Sequence, residues 1–454
     1  MDAQSERLTA IRLMEGLVTL GLVLMMSNAL IGPVLDPDQT GGDSNAILRL
    51  MWLPVYAAAA ALALLRAPNM ARMWLPGLLL GALVLWAALS VTWSIDPGVS
   101  QRRAIAVAAS TLFGLYLAAR YDGRSLAELL ASSFLILALG SYAVSLALPS
   151  LGVHADVNAG AWRGLWYEKN QMGATMVYGA LTCAAAAALA PGRRLLWLAT
   201  LGLCVGLIVM TQSKTSLLAL ALGLGLGGGL SLMNRGPAAA VALIWLGVTL
   251  SGLLGGLYLL APEVLFDAMG KDPSLTGRTD IWSAVMRAAE ARPLQGYGFA
   301  AFWTDDSTPA KWIRHQLGWT VPTAHSGWMD LLVQLGMVGV GLFALVLGAA
   351  FLAALARFGR TGDGGWAVML LVVFTLQILS ESFILAHNSL PWVLAVTAIA
   401  RLLGPLPVRA AGLARLSSRA ARPNVLAAPP YEPAPVDWTD QARPVFGRRG
   451  LATA

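Results

Sequence analysis

The chain is poor in charge, cysteine and histidine. Only 12% of its 454 residues are Asp, Glu, Lys or Arg, about half the roughly 25% of a soluble domain. That excludes an ordinary globule solvated by water. Its two cysteines, Cys183 and Cys204, imply no disulfide framework, and no metal-ligand spacing is present. Both lie in apolar runs and read as small core residues. The glycines of LALALGLGLGGGL at 218–230 follow no strand and precede no Lys-Ser/Thr. They therefore read as a close-packing helix surface rather than a phosphate cradle. A cleavable leader is not expected either, because the first apolar run, from about Ile11, is too long for a signal core and lacks a small-residue cleavage site.

What the chain has in abundance is apolar sequence: 57% hydrophobic residues and a mean hydropathy of +0.66. Runs of roughly 17–25 apolar residues, the length that spans a bilayer as helix, recur along it. The expected fold is all-α and polytopic. About twelve spans are expected, near 11–34, 46–65, 74–93, 104–119, 126–148, 171–190, 195–211, 215–233, 238–260, 327–353, 366–383 and 389–404. Arg66, Arg72, Arg120, Arg124, Arg193, Arg194, Arg235, Arg357 and Arg360 fall in alternate connections, which predicts an inside N-terminus and an inside C-terminus. The net charge of +7 resides largely in those connections and in the Pro/Ala-rich tail, so it calls for no nucleic acid. The tail, 405–454, is expected to be a disordered cytoplasmic extension, its arginines lying beside anionic lipid.

One connection is outsized. The polar interruption from about Ala261 to Ser326 contains LTGRTDIWSAVMRAAEARPLQGYGF and ends at TAHSGWMDLL. With the N-terminus inside, it lies outside. At Thr276-Gly277-Arg278-Thr279-Asp280 a threonine cap, free backbone N–H groups and an arginine make an anion site. The plain alternative is a capped amphipathic helix with Arg287 and Glu290 paired at helical spacing. His325 opens the next span, where an imidazole titrating near 6.5 can act as a base. His315 and His154 have no such constrained position and are expected to be solvated.

Three further outer segments carry unusual polar residues. AWRGLWYEKNQMG holds Arg163, Glu168, Lys169 and Asn170; an outer arginine matches phosphate oxygens in a bidentate fork, or it snorkels between Trp162 and Trp166 of an aromatic belt. Lys214, in the tight turn TQSKTS, either assists anion binding or is an interfacial lysine. In ESFILAHNSLPW, Glu381 at the hydrocarbon boundary requires a partner, for which the arginines above are the simplest candidates. There Asn388 is a further polar candidate, and His387 reads as interfacial.

Four motifs in order, R-G-x-x-x-x-K-N at 163–170, T-G-R-T-D-x-W at 276–282, P-L-x-G-x-G at 293–298 and A-H-S-G-W-x-x-L-L-x-x-L-G at 324–336, resemble the O-antigen ligase and Wzy-type polysaccharide polymerase family of bacterial inner membranes. The resemblance covers about 11–404 and implies a GT-C-like glycosyltransferase acting at the periplasmic face without metal or other cofactor. Its donor would be an undecaprenyl-diphosphate-linked oligosaccharide and its acceptor a second glycan. A chain-length regulator and export proteins are the further partners it suggests. Arg163 and Arg278 match the arginines that grip the lipid diphosphate, and His325 matches the histidine that activates the acceptor hydroxyl. Lys169, Asn170, Lys214, Thr279, Glu381 and Asn388 complete the expected substrate contacts. The chain departs from the family's His-Asn-Ser in having His325-Ser326-Gly327, which leaves Asn388 or another polar group to substitute for the lost amide.

The WRGLWYEKNQMG and E-S-x-x-x-x-x-N-S-x-x-W patterns favour polymerisation of exopolysaccharide repeats over ligation to lipid A core or protein. No carboxylate pair at glycosidase geometry is evident, which disfavours hydrolysis. A transporter or lipid-glycan flippase is the competing class. It lacks the expected midplane charges and paired interrupted helices.

Overall fold

A computed structural model describes residues 3–29, 46–155, 158–233, 278–357 and 364–405, with isolated positions at 31, 33 and between 235 and 249. The span expected at 238–260 lies largely outside these residues, as do Thr276, Gly277 and the tail from 406. Among the described residues the chain is helical, without strands; one isolated bridge joins Val153 to Trp162. In chain order the helices are α1 Ala3–Met26, α2 Ala46–Leu65, α3 Ala67–Ala71, α4 Trp74–Leu89, α5 Pro97–Arg120, α6 Gly123–Ala147, α7 Pro149–Gly152 and α8 Lys169–Leu189. They continue with α9 Arg194–Met210, α10 Lys214–Met233, α11 Arg278–Ala291, α12 Thr308–Leu317, α13 Gly327–Ala356, α14 Gly364–Gln377 and α15 Leu390–Leu403.

Six of these, counted with short 3-10 extensions, are long and apolar enough to cross a membrane: Trp74–Thr92, Gly123–Ala147, Lys169–Leu189, Pro191–Met210, Lys214–Met233 and Gly327–Ala356. Shorter apolar helices occupy Leu50–Leu65, Gly364–Gln377 and Leu390–Leu403. The expected span at 104–119 starts earlier, at Pro97. The Asp96 carboxylate caps it by accepting from Val99 N at 3.0 Å, and proline at N1 forfeits no helical hydrogen bond. Its first turns thereby carry Arg102 and Arg103 out of the apolar run.

α8 is the centre of the bundle. In its apolar window 83% of residues are buried inside the protein, against 22–44% in the other five long helices. It is built of small residues, with Gly173, Gly179 and an alanine-rich second half, and small side chains let neighbouring helices approach closely where no hydrophobic effect drives them together. α6, α9, α10 and α14 pack around it. Cys183 and Cys204 are buried and unbridged at this core.

At one end of the bundle Glu15 accepts from Arg66, Arg120 and Tyr116. Arg66 Nε lies at 2.8 Å, both donors of Arg120 at 2.9 and 3.0 Å, and the Tyr116 hydroxyl at 3.0 Å. A carboxylate within a span is costly unless paired, so the pair of forks explains how α1 tolerates it and ties α1 to α2 and α5. Arg66 and Arg120 therefore have a specific partner, besides the charge bias for which the sequence singled them out.

α13 is broken at Gly336, where φ is 63° and ψ −169°. The break frees backbone groups that cannot remain unpaired at membrane depth, and the 293–298 loop takes them. Tyr297 N donates to Val333 O at 2.8 Å, Gly298 N to Gln334 O at 3.0 Å, and Met337 N to Pro293 O at 2.8 Å. Trp86 Nε1 reaches Leu335 O at 3.1 Å. The P-L-x-G-x-G motif is thus the complement of the broken helix. A Cβ at Gly336 would lie 2.2 Å from Leu294 C, in a backbone region that side chains avoid. Gly336→Ala is accordingly expected to destabilise by about 2–5 kcal/mol, read as a lower melting temperature in detergent and reduced membrane abundance. An unchanged melting temperature sinks this account of the motif.

Candidate functional site

The described part of the outsized loop is a folded unit rather than a tether. Ile281, Val285, Tyr297, Phe302, Ile313 and Val321 form a buried cluster of their own. α12 is closed by Ser307, whose hydroxyl accepts from Ala310 N at 3.3 Å, and by Gly318 in the left-handed region. Arg314 bonds the carbonyls of Trp303 and Val321 at 2.8 and 3.1 Å and Asp305 at 3.1 Å. Arg287 does not pair with Glu290, as helical spacing suggested. It donates to Gln316 Oε1 at 3.0 Å, and its guanidinium carbon lies 5.7 Å from the Trp312 ring centroid, because α12 packs close enough to compete with a same-helix partner.

Arg278 opens α11, and the unit delivers it to His325 and Glu381. His325 is held in the left-handed region at φ 48°, tolerated by histidine more than by most residues yet uncommon. Its neighbour Ala324 is clamped on both sides: Trp282 Nε1 donates to its carbonyl at 2.9 Å, and its N–H donates to Asp330 Oδ1 at 3.0 Å. Burial and then the Arg278 charge hold the His325 imidazole below its usual range, so the ring is neutral at neutral pH. Glu381 follows α14. Burial pushes its carboxyl up to about 7, with Arg278 opposing the shift and Glu168 adding to it. One cation, one neutral base and two carboxyls thus act on one another at the start of α13.

The other expected residues are distributed around this cluster. Lys169 and Asn170 form the first turn of α8 immediately after Glu168, and Lys169 N donates to His154 Nε2 at 3.3 Å. His154 is buried and 3.8 Å from Glu168, contrary to the solvated position expected for it. Arg163 is half-buried, with Nε on Leu151 O at 2.9 Å and a terminal nitrogen on Ser150 O at 3.2 Å. Of its supposed aromatic belt, Trp166 is packed inside, only 3% exposed, and donates to Ser27 O at 2.8 Å; Trp162 meets Tyr142 edge-on. Lys214 stands exposed at the start of α10, Thr279 exposed beside Arg278, and His315 exposed on α12.

Asn388 faces a different space. A cavity of about 610 Å³ is bounded by α1, α2, α5, α8 and the 382–391 segment, and its polar lining includes Tyr56, Arg102, Arg103, Gln171, His387 and Asn388. Asn388 Oδ1 accepts from Tyr56 at 3.0 Å and its carbonyl accepts from Asn28 at 2.7 Å. Arg103 donates to Ala300 O at 2.9 Å. Burial, then the Arg103 charge, pushes His387 down to about 3, so this ring stays neutral. The apolar wall includes Leu50 and Leu53, 64% and 57% exposed. Glu381 therefore belongs to the cluster while the next residue, Ser382, lines the cavity. Arg102 and Arg103 gave no signal in sequence because they fell between predicted spans. The Asp96-Pro97 start of α5 is the local pattern that could have placed them on a helix.

Among the described residues no group of three or more His, Cys, Asp or Glu side chains is arranged to hold a metal ion.

A family model described as O-antigen ligase matches residues 198–344, which include α11, α12, His325 and the broken helix. The exopolysaccharide production protein ExoQ of Rhizobium meliloti (strain 1021) is 26% identical over 291 residues, 61% of this chain. The aligned part covers 65% of that relative's length, just under two thirds. Over residues 198–344 the chain is thus similar to O-antigen ligases, and its long apolar helices give it the architecture of a multi-pass membrane protein.

Proposed function

We propose that this chain is a metal-independent glycosyltransferase that polymerises undecaprenyl-diphosphate-linked oligosaccharide repeats at the periplasmic face of a bacterial inner membrane, with both termini cytoplasmic. The observation that carries the reading is that residues 381–388 join a charged cluster to a cavity. On one side lies the Arg278, His325 and Glu381 cluster; on the other lies a cavity with an apolar, surface-reaching wall and two arginines. An amphiphile with a prenyl tail and a diphosphate head fits this cavity, its tail against Leu50 and Leu53 and its charge toward Arg102 and Arg103.

In the reaction, an acceptor sugar hydroxyl attacks the anomeric carbon of the donor. The bond from that carbon to the diphosphate oxygen breaks, the electron pair leaves with the lipid diphosphate, and the hydroxyl proton passes to the His325 imidazole. Direct displacement inverts the centre. Arg278 neutralises the charge developing on the leaving group, and Arg163, its fork engaged by the Ser150 and Leu151 carbonyls, contributes only its charge from a distance; Lys169, Asn170, Lys214, Thr279 and Asn388 supply the outlying contacts. The name of the Rhizobium relative, an exopolysaccharide production protein, favours polymerisation over ligation. The test is glycolipid and polymer analysis of a deletion strain. Single repeats accumulating on the lipid carrier support a polymerase. Normal polymer that is merely unattached to its anchor points to a ligase instead, and release of lipid diphosphate by purified protein in detergent excludes a pure transporter.

A further inference from the structure

We propose that Asp330 is a positioning residue that sets His325 and Glu381 in register with each other, a role that rests on the reaction proposed above. Asp330 occupies the first turn of α13 and is 4% exposed. Three donors converge on its carboxylate: Ala324 N at 3.0 Å, Trp303 Nε1 at 2.6 Å and the Ser382 hydroxyl. These donors come from three separate segments. Ala324 immediately precedes His325, Ser382 immediately follows Glu381, and Trp303 belongs to the folded loop unit. No ion pair among the described residues includes Asp330. A buried carboxylate without a cation is costly, and an apolar side chain would fill the same volume more cheaply. What an apolar side chain cannot do is hold both ends at once, Oδ1 accepting from Ala324 and Trp303 and Oδ2 from Ser382. His325 needs such a restraint, since its left-handed backbone is maintained only where the surroundings over-determine it.

The full chain in nanodiscs, labelled with 13C-histidine, provides a readout independent of turnover: the titration of His325, assigned by its disappearance in His325→Ala. Asp330→Ala is expected to move that titration up toward the ordinary 6.5, as the ring swings out of its half-buried position. It is also expected to lower kcat for glycan transfer roughly 100-fold with KM for the donor little changed. Asp330→Asn keeps Oδ1 for Ala324 and Trp303, and the Ser382 hydroxyl can turn to accept from the new amide, so both readouts should stay near wild type. Ser382→Ala removes one donor without touching the carboxylate, and is expected to shift both readouts in the alanine direction by less. If Asp330→Ala fails to fold, Ser382→Ala decides by the same two measurements. An unmoved His325 titration in the alanine variants, or Asp330→Asn as damaged as Asp330→Ala, overturns the proposal. Absence of glycan transfer by the wild-type chain would defeat the proposed reaction while leaving the titration result to judge the position of His325.

Discussion

Arg278→Ala is expected to abolish polymer formation while the protein accumulates in the membrane at its normal level. Arg278 is half-buried at the start of α11, so its loss opens no core cavity and folding should survive. Its charge acts on both His325 and Glu381, lowering each. Removing it deprives the departing diphosphate of a fixed positive charge in a site of low dielectric, where one such group contributes on the order of 10²–10³ in rate. It also leaves the half-buried Glu381 carboxyl without the cation that opposes its upward shift. Arg278→Lys should recover only part of the loss, because lysine keeps the charge and forfeits the fork. Immunoblotting of membranes together with gel analysis of the glycan checks both halves. Polymer at near wild-type level in Arg278→Ala would remove this arginine from the mechanism.

His325→Ala should be comparably severe, a loss of roughly 10²–10⁴ in kcat, again with normal abundance. The wild-type pH profile carries the same information. His325 is a base only when neutral, and burial with Arg278 holds its titration below 6.5, so activity should rise with pH through a point below 6.5. Glu381, pushed up to about 7 by burial, becomes an anion above that point beside Arg278 and Glu168. It then diminishes the positive charge offered to the diphosphate, so activity should fall on that side. Glu381→Gln is expected to flatten the alkaline limb and leave the acid limb in place. A profile measured on purified protein that is unaltered in Glu381→Gln, or an acid limb that persists in the residual activity of His325→Ala, refutes these assignments.

Much of the site was legible in the chain because it is written in residues that an apolar sequence cannot carry without reason. His325 at a helix start, Arg278 in a polar loop and Glu381 beside a span each conflict with their surroundings, and the structure brings these three within electrostatic reach. Arg163 was equally conspicuous, yet the fork that suggested phosphate bonds the carbonyls of Ser150 and Leu151. His154 looked incidental and is buried beside Glu168. Periodicity could not separate these cases, because it reports which residues are unusual and not which partner each one meets. Asp330 was hidden for the opposite reason: it stands at an unspecified position of the A-H-S-G-W-x-x-L-L motif and is recognisable only once its three donors are seen.

By itself, then, the sequence determined that the chain is helical and membrane-embedded, where its outsized polar segment falls, and which few polar side chains stand out against an apolar background. These are consequences of composition and of the length of apolar runs, which depend on local sequence alone. The tertiary structure decided that the P-L-x-G-x-G loop completes a broken helix, that Ser382 lines the cavity while Glu381 lies within the field of Arg278, and that one buried carboxylate joins the segments on either side of the site. Those facts depend on contacts between residues tens to hundreds of positions apart. No local pattern encodes them, because each donor or carbonyl in the chain has many acceptable partners, and only the packed bundle selects one.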